Sequence, residues 1–228
     1  YSSTPNIQQM AQSAQRAWDN KPLEELVQTI VSAPVATDWR EAQMAGGVQS
    51  GAQVKQAWSA LEAIQKRTDS QAVFDALIPH INIASSNLQY QRALASVGED
   101  IAVAPLLEFV KSGQQNERLN ALKALAEMHA GTAAEGLVAF IHDDDQSIRT
   151  EAVRALGFTG HPIAHNALKD YDRQQYPINA TTLGIAQRWC NVPDTLDEFR
   201  RRKAKGDLGI DETLARLENQ YATYWQDI

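Results

Sequence analysis

The chain has a single cysteine, Cys190, among its 228 residues. One thiol cannot close an internal disulfide, and it rules out a zinc site built from several cysteines. No apolar run reaches the roughly 18 residues that a membrane-spanning helix needs. Strand-like alternation of Val, Ile, Thr and aromatics is almost absent. Basic charge is in the minority, with 21 Lys and Arg against 28 Asp and Glu and a net charge of −7. Nucleic-acid binding relies on neutralising phosphates with Lys and Arg, so nucleic acid is not an expected partner. There is no Ser-His-Asp elbow, Walker loop, Gly-rich dinucleotide turn or HExxH pair, and hence no expected cofactor or resident metal. The chain opens YSSTPN, without an initiator Met or a signal-peptide pattern. Tyr1 is therefore expected to follow a processing site or a boundary within a longer protein. Cysteine poverty suits both the cytoplasm and a bacterial periplasm and leaves the compartment open.

Helix formers fill the space that these absences leave. Ala, Leu, Gln and Glu dominate, and helix starts are marked by caps and first-turn prolines. The expected starts are Thr4-Pro5, Lys21-Pro22, Thr37 or Asp38, Asp69 or Ser70, Asp100, Thr132, Asp145, His161-Pro162, Pro193-Asp194 and Asp211. Gly46, Gly47, Gly98, Gly113, Gly131, Gly160 and Gly206 are read as punctuation between helices. Short gaps between helices of moderate length imply antiparallel pairs.

The stretch IRTEAVRALGFTGHPIAHNAL, Ile148 to Leu168, recurs upstream at a spacing of 31 residues. Ala155 aligns with Ala124 and Ala93, and Leu156 with Leu125 and Leu94. Ala164 aligns with Ala133 and Ala102, Leu168 with Leu137 and Leu106, and Arg149 with Arg118. A looser copy places Ala63, Ile64 and Ala72 before the first of these, and Ala186 and Phe199 keep the spacing beyond the last. Self-similarity at such a period marks a solenoid, in which each unit buries its apolar face only by stacking on its neighbours. Leu94, Leu125 and Leu156 are expected to form a core ladder. The fold class is an all-α, right-handed α-solenoid of about five to seven helix pairs. Its expected parts are 1–53, an N-terminal helical cap or the start of the solenoid; 54–171, the repeats; and 172–228, divergent capping helices.

The segment DDDQSIRTEAVRALGFTG resembles the HEAT-like repeat of the phycobilin lyases, with its D-x-x-x-R-x-x-A-x-x-A-L-G core at Asp145, Arg149, Ala152, Ala155, Leu156 and Gly157. In the unit before it Gln114 stands in place of the Asp, and one unit further back Asn87 stands in place of the Arg. The resemblance implies stacked helix pairs in which Asp145 and Arg149 tie neighbouring units together. It also opens two alternatives: a bilin lyase-like enzyme or chaperone that handles a chromophore, and a nucleic-acid binder similar to the all-HEAT DNA glycosylases.

Several residue groups invite a chemical reading beside a structural one. Asp143-Asp144-Asp145 lacks the ligand loop of a calcium site and reads as a helix cap. His161 and His165 share an i, i+4 spacing, and His129 and His142 come from the preceding unit, but no third ligand position is specified and scattered surface histidines are the expectation. Arg200, Arg201, Arg202, Lys203 and Lys205 read as a solvated helix face. Cys190 reads as a buried, inert thiol. The sequon Asn179-Ala180-Thr181 matters only in a glycosylating pathway. Trp18, Trp39, Trp58, Trp189 and Trp225, with Tyr221 and Tyr224, avoid the clearest repeats and are expected to plug the solenoid ends or meet another domain. The 31-residue register stacks Lys111 with His142 and Arg173, and Glu135 with Asn166. These five positions form the expected partner-facing strip, because second helices of such solenoids line the concave surface. The expected role is a non-catalytic interaction scaffold, whose partner is another protein or another domain of the parent chain.

Overall fold

The computed structural model describes residues 7–34, 39–83 and 87–226, and among them every regular element is a helix. The chain divides into two compact units, Tyr1–Ala102 and Val103–Ile228.

In the first unit, α1 (Ile7–Asp19) and α2 (Leu23–Val31) both pack on the long α3 (Trp39–Gln65), and α4 (Ser70–Leu77) and α5 (Leu88–Ala95) complete the group. Pro22 precedes α2 and fits its entry because a fixed φ and a missing N–H cost nothing there. Leu26, Val27 and Ile30 form its buried stripe. Gly46 and Gly47, expected to separate helices, instead lie inside α3, which also runs unbroken through residues 53 and 54. Each glycine costs about 1 kcal/mol there, which the packing of a long helix offsets. The looser upstream repeat also shifts: Ala72 is exposed, while Val73 and Phe74 take the buried positions. Asn87, in the register of the repeat arginines, caps α5 by accepting from the Tyr90 N–H at 2.9 Å and donates to the Ile30 carbonyl at 2.9 Å. The expected caps at Thr4-Pro5 and at Thr37 or Asp38 lie outside the described residues.

The second unit follows α6 (Glu99–Ser112), which begins before the division. Its first helices, α7 (Gln115–Met128), α9 (Gln146–Phe158) and α11 (Ala180–Cys190), pack one on the next. The second helices, α8 (Ala134–Val138) and α10 (Pro162–Lys169), pack on each other and on that row. This stacking of helix pairs is an all-α solenoid. α8 is shorter than the segment AAEGLVAFI suggested: Ala133 belongs to a 3-10 turn, Gly131–Ala133, and the helix ends at Val138. The register positions Ala124, Leu125, Ala133, Leu137, Ala155, Leu156, Ala164 and Leu168 are all fully buried. Each buried Leu contributes roughly 1.5–3 kcal/mol.

Two backbone features explain the tight stacking. A Cβ on Gly157 would come 2.5 Å from the Cα of Ala186, so α9 and α11 approach backbone to backbone. The turns between helices of a pair carry a left-handed residue in the same register: Gly98 at φ 100°, His129 at 54° and Gly160 at 65°. α12 (Val192–Ala204) and α13 (Asp211–Tyr224) close the unit as a hairpin around Val192, Leu196, Phe199, Ile210, Leu214 and Leu217.

Candidate functional site

The capping predicted for the acid run is visible in atomic detail. The Asp145 carboxylate accepts from the Ser147 N–H at 2.7 Å and the Ile148 N–H at 3.2 Å, starting α9, and its second oxygen accepts from Gln115 Nε2 at 2.9 Å. Asp143 accepts from the Asp145 N–H at 3.0 Å and pairs with the Arg118 guanidinium. Burial works to raise the Asp143 carboxyl, but the Arg118 hydrogen bond and neighbouring donors outweigh it and hold the group below its usual range. Arg118 also donates to the Val110 carbonyl at 2.7 Å.

Arg149 behaves differently from its register mate Arg118. It is buried, and it donates to main-chain carbonyls: Asp143, Asp144 at 3.3 Å and Pro177 at 3.1 Å. The last of these belongs to the connection between α10 and α11. Three successive carbonyls of that connection each accept a side-chain donor. Tyr171 Oη donates to Tyr176 at 3.0 Å, Arg149 to Pro177, and Arg173 Nη2 to Ile178 at 3.4 Å. The connection is thus pinned, although it holds no regular structure.

Two members of the expected strip are found at this connection, one stacked on it and one within it. The His142 ring stacks on Tyr171 with centroids 5.7 Å apart and sits 4.3 Å from Tyr176, while Arg173 lies in the same connection. Glu135 is exposed on α8 and acts electrostatically on His161, whose ring is pushed down by burial against the opposing pull of that carboxylate. Asn166 is exposed on α10, and Lys111, exposed at the end of α6, lies 3.9 Å from Glu108. Among the described residues, no hydrogen bond, ion pair or ring contact joins Lys111 or Asn166 to the other three. Sequence reading did not single out Tyr171 or Tyr176. Their one signal was two tyrosines five residues apart flanking a stretch with no helical period.

His129, His161 and His165, expected as scattered surface groups, instead meet aromatic rings. His161 lies 4.8 Å from the Tyr224 ring and His165 5.9 Å from Trp225, both across from the end of α13. His161 also caps α10 through Nδ1, which accepts from the Ile163 N–H at 3.2 Å. His129 packs edge-on against Phe158 at 5.3 Å. Around them α13 reaches main chain: Gln220 donates to the Phe158 and Thr159 carbonyls at 3.4 and 3.1 Å, and Trp225 Nε1 to Gly160 at 2.7 Å. Gly131 and Gly160 leave the room this needs, since a Cβ would come 2.2 Å from Tyr224 Oη at the first and 2.5 Å from Gln220 at the second. No cluster of three His, Cys, Asp or Glu that could hold a metal ion occurs among the described residues.

The remaining candidates have structural surroundings. Cys190 is fully buried, and burial pushes its thiol up to about 12. In the basic run, Arg200 pairs with Glu218, Arg202 with Asp207 and Lys203 with Asp211. Asn179 of the sequon caps α11, its side-chain oxygen accepting from the Thr181 N–H at 2.8 Å. Lys21 lies over the Trp18 ring at 4.6 Å and Arg92 over Trp58 at 5.3 Å; the Trp39 side chain lies outside the described residues. No helix among the described residues is long and apolar enough to cross a membrane.

Stacked antiparallel pairs, buried Ala and Leu in a fixed register and an arginine bonded across connections define an α-helical repeat protein. Residues 103–183 match the family model described as HEAT repeats. That segment is similar to HEAT repeats. No curated protein and no solved structure matches the chain. The match begins further along the chain than the register read from Val54, and it runs past Tyr171 through the pinned connection into α11. Repeats of this kind commonly mediate protein interaction.

Proposed function

We propose that this chain is a non-catalytic scaffold that binds another protein, or another domain of its parent chain, along the surface of its repeats. The carrying observation is a run of HEAT-like repeats whose second-helix side presents Glu135, His142 and Asn166 to solvent. Arg173 adds a cation in the connection against which His142 stacks, and Lys111 extends the strip in register. In this reading Asp145 and Arg149 tie repeats together, and Leu94, Leu125 and Leu156 supply the core behind the surface. By repeat register the proposed parts are 1–53, 54–171 and 172–228, although the first boundary falls inside α3. The carboxylate partners of Arg200, Arg202 and Lys203 weigh against a phosphate-binding surface on α12.

The test is capture from a lysate of the source organism by the immobilised chain and by a Glu135→Lys/Asn166→Arg variant with an unchanged circular dichroism spectrum. Both substitutions are at exposed positions and leave every hydrogen bond described above in place. One dominant protein, retained by the first and lost by the second, supports the reading. Equal capture by both rejects the strip, and capture of nothing rejects a protein partner in that lysate.

A further inference from the structure

Among the described residues, His129 is the one non-glycine with a positive φ, and it stands in register with Gly98 and Gly160. A side chain in the left-handed region is strained where glycine is not. Strain of this kind persists where the surroundings offset it. Here the offset is visible. The ring packs edge-on against Phe158, and Nδ1 lies 3.3 Å from Arg216 Nη1 of α13. A guanidinium has donors only, so Nδ1 accepts and the ring carries its hydrogen on Nε2. Arg216 also lies over the Trp189 ring at 5.1 Å. Burial depresses Arg216, with Glu212 pulling the other way.

A proton on Nδ1 removes that acceptor and sets two cations 3.3 Å apart in a half-buried site. The new N–H has one carbonyl in reach, Phe158 at 3.4 Å. Gln220 of α13 already donates to that same oxygen. Protonation therefore takes the acceptor of Arg216 and contests one acceptor of Gln220, and both residues belong to α13. The charged groups that act on the ring come from α13 and α9. Arg216 on α13 and Arg154 on α9 act on the ring itself, while Glu212 acts on Arg216 and Glu151 pairs with Arg154. The two guanidinium groups act directly on the imidazole, and both disfavour a positive ring.

We propose that His129 and Arg216 form a proton-operated latch, in which the neutral ring fixes α13 on the repeat turns and the protonated ring releases it. The hairpin core of α12 and α13 stays packed, so the release concerns the polar contacts to Phe158, Thr159 and Gly160 and the aromatic end, Tyr224 and Trp225. That end rests on Gly131, His161 and His165, on the helix pair that carries Glu135 and Asn166. Gating of the strip by this release rests on the proposed function; the latch itself does not.

The test follows the His129 ring resonances by NMR and the amide-exchange protection of α13, both from pH 7.5 to 3.5, in the full chain. In the wild type, α13 loses protection with the midpoint of His129, about 4. In His129→Asn the loss is absent over this range, because asparagine tolerates the left-handed region, offers Arg216 an acceptor and does not titrate. In Arg216→Met the His129 midpoint moves up towards the ordinary histidine range. The latch is overturned if α13 stays protected while His129 titrates, or if His129→Asn loses protection at the same pH as the wild type. Should His129→Asn not fold, the Arg216→Met midpoint decides: an unmoved midpoint overturns the proposal.

Discussion

Gly157 on α9 faces Ala186 on α11 so closely that a Cβ added to the glycine would meet the alanine Cα at 2.5 Å. The neighbour on the other side of that contact is backbone, which cannot rotate away. Gly157→Ala therefore gains up to about 1 kcal/mol of helix propensity but forces the two helices apart, an overpacking that costs roughly 1–3 kcal/mol. The expected net effect is destabilising. Gly184, exposed on α11 with nothing within 4 Å of its added Cβ, is the matched control. Gly184→Ala is expected to stabilise by about 0.5–1 kcal/mol. Urea denaturation of both variants checks the pair of opposite signs.

Arg149→Met keeps most of the buried stem and removes three main-chain hydrogen bonds. Loss of charge-assisted donors to buried acceptors is expected to cost about 2–3 kcal/mol. The change is also local: the connection through Tyr176, Pro177 and Ile178 loses its central pin, so its amides exchange faster than those of α7. Uniform exchange across the unit would contradict this assignment.

His129 gives a dependence on pH whose sign is fixed. Burial first, then Arg216, lowers it from 6.5 to about 4 in the folded chain, so the unfolded chain binds the proton more readily. The stability is complete above pH 6.5 and is lost as pH falls towards 4. The slope reaches about 1.4 kcal/mol per pH unit, and the whole effect is roughly 3 kcal/mol. Chemical denaturation at several pH values should show that the His129→Asn chain loses less stability over this window by about that amount.

Cys190, buried and with its thiol pushed up to about 12, is expected to resist iodoacetamide at pH 8 in the native chain and to react fully in denaturant. Mass spectrometry of the alkylated chain before and after denaturation checks this. Rapid native labelling would mean that α11 opens often enough to expose its inner face.

The repeats were legible because their signal is local and repeated. Ala124 and Leu125 reappear as Ala155 and Leu156, each fully buried on a helix with a marked start. The docking of α13 was not legible, because Gln220 and Trp225 reach carbonyl oxygens of Phe158, Thr159 and Gly160, and a carbonyl leaves no trace in sequence. The row of left-handed turns was half hidden for a related reason. Gly98 and Gly160 announce it, but His129 stands between them and looks like an ordinary helix-end residue. Gly46 and Gly47 misled in the opposite direction, since propensity pointed to a break and packing against α1 and α2 carried the helix through.

The ion pairs of α12 shape how the molecule is met at a distance. Each pair of Arg200 with Glu218, Arg202 with Asp207 and Lys203 with Asp211 is a short dipole, whose field dies away within a Debye length of about 8 Å in physiological salt. What a diffusing molecule feels beyond that is the net charge of −7. Three of the five cations in the densest basic stretch are thereby muted in long-range steering. Encounter is accelerated for cationic partners and slowed for anionic ones, and added salt erases the difference in on-rate before it changes any contact made on arrival.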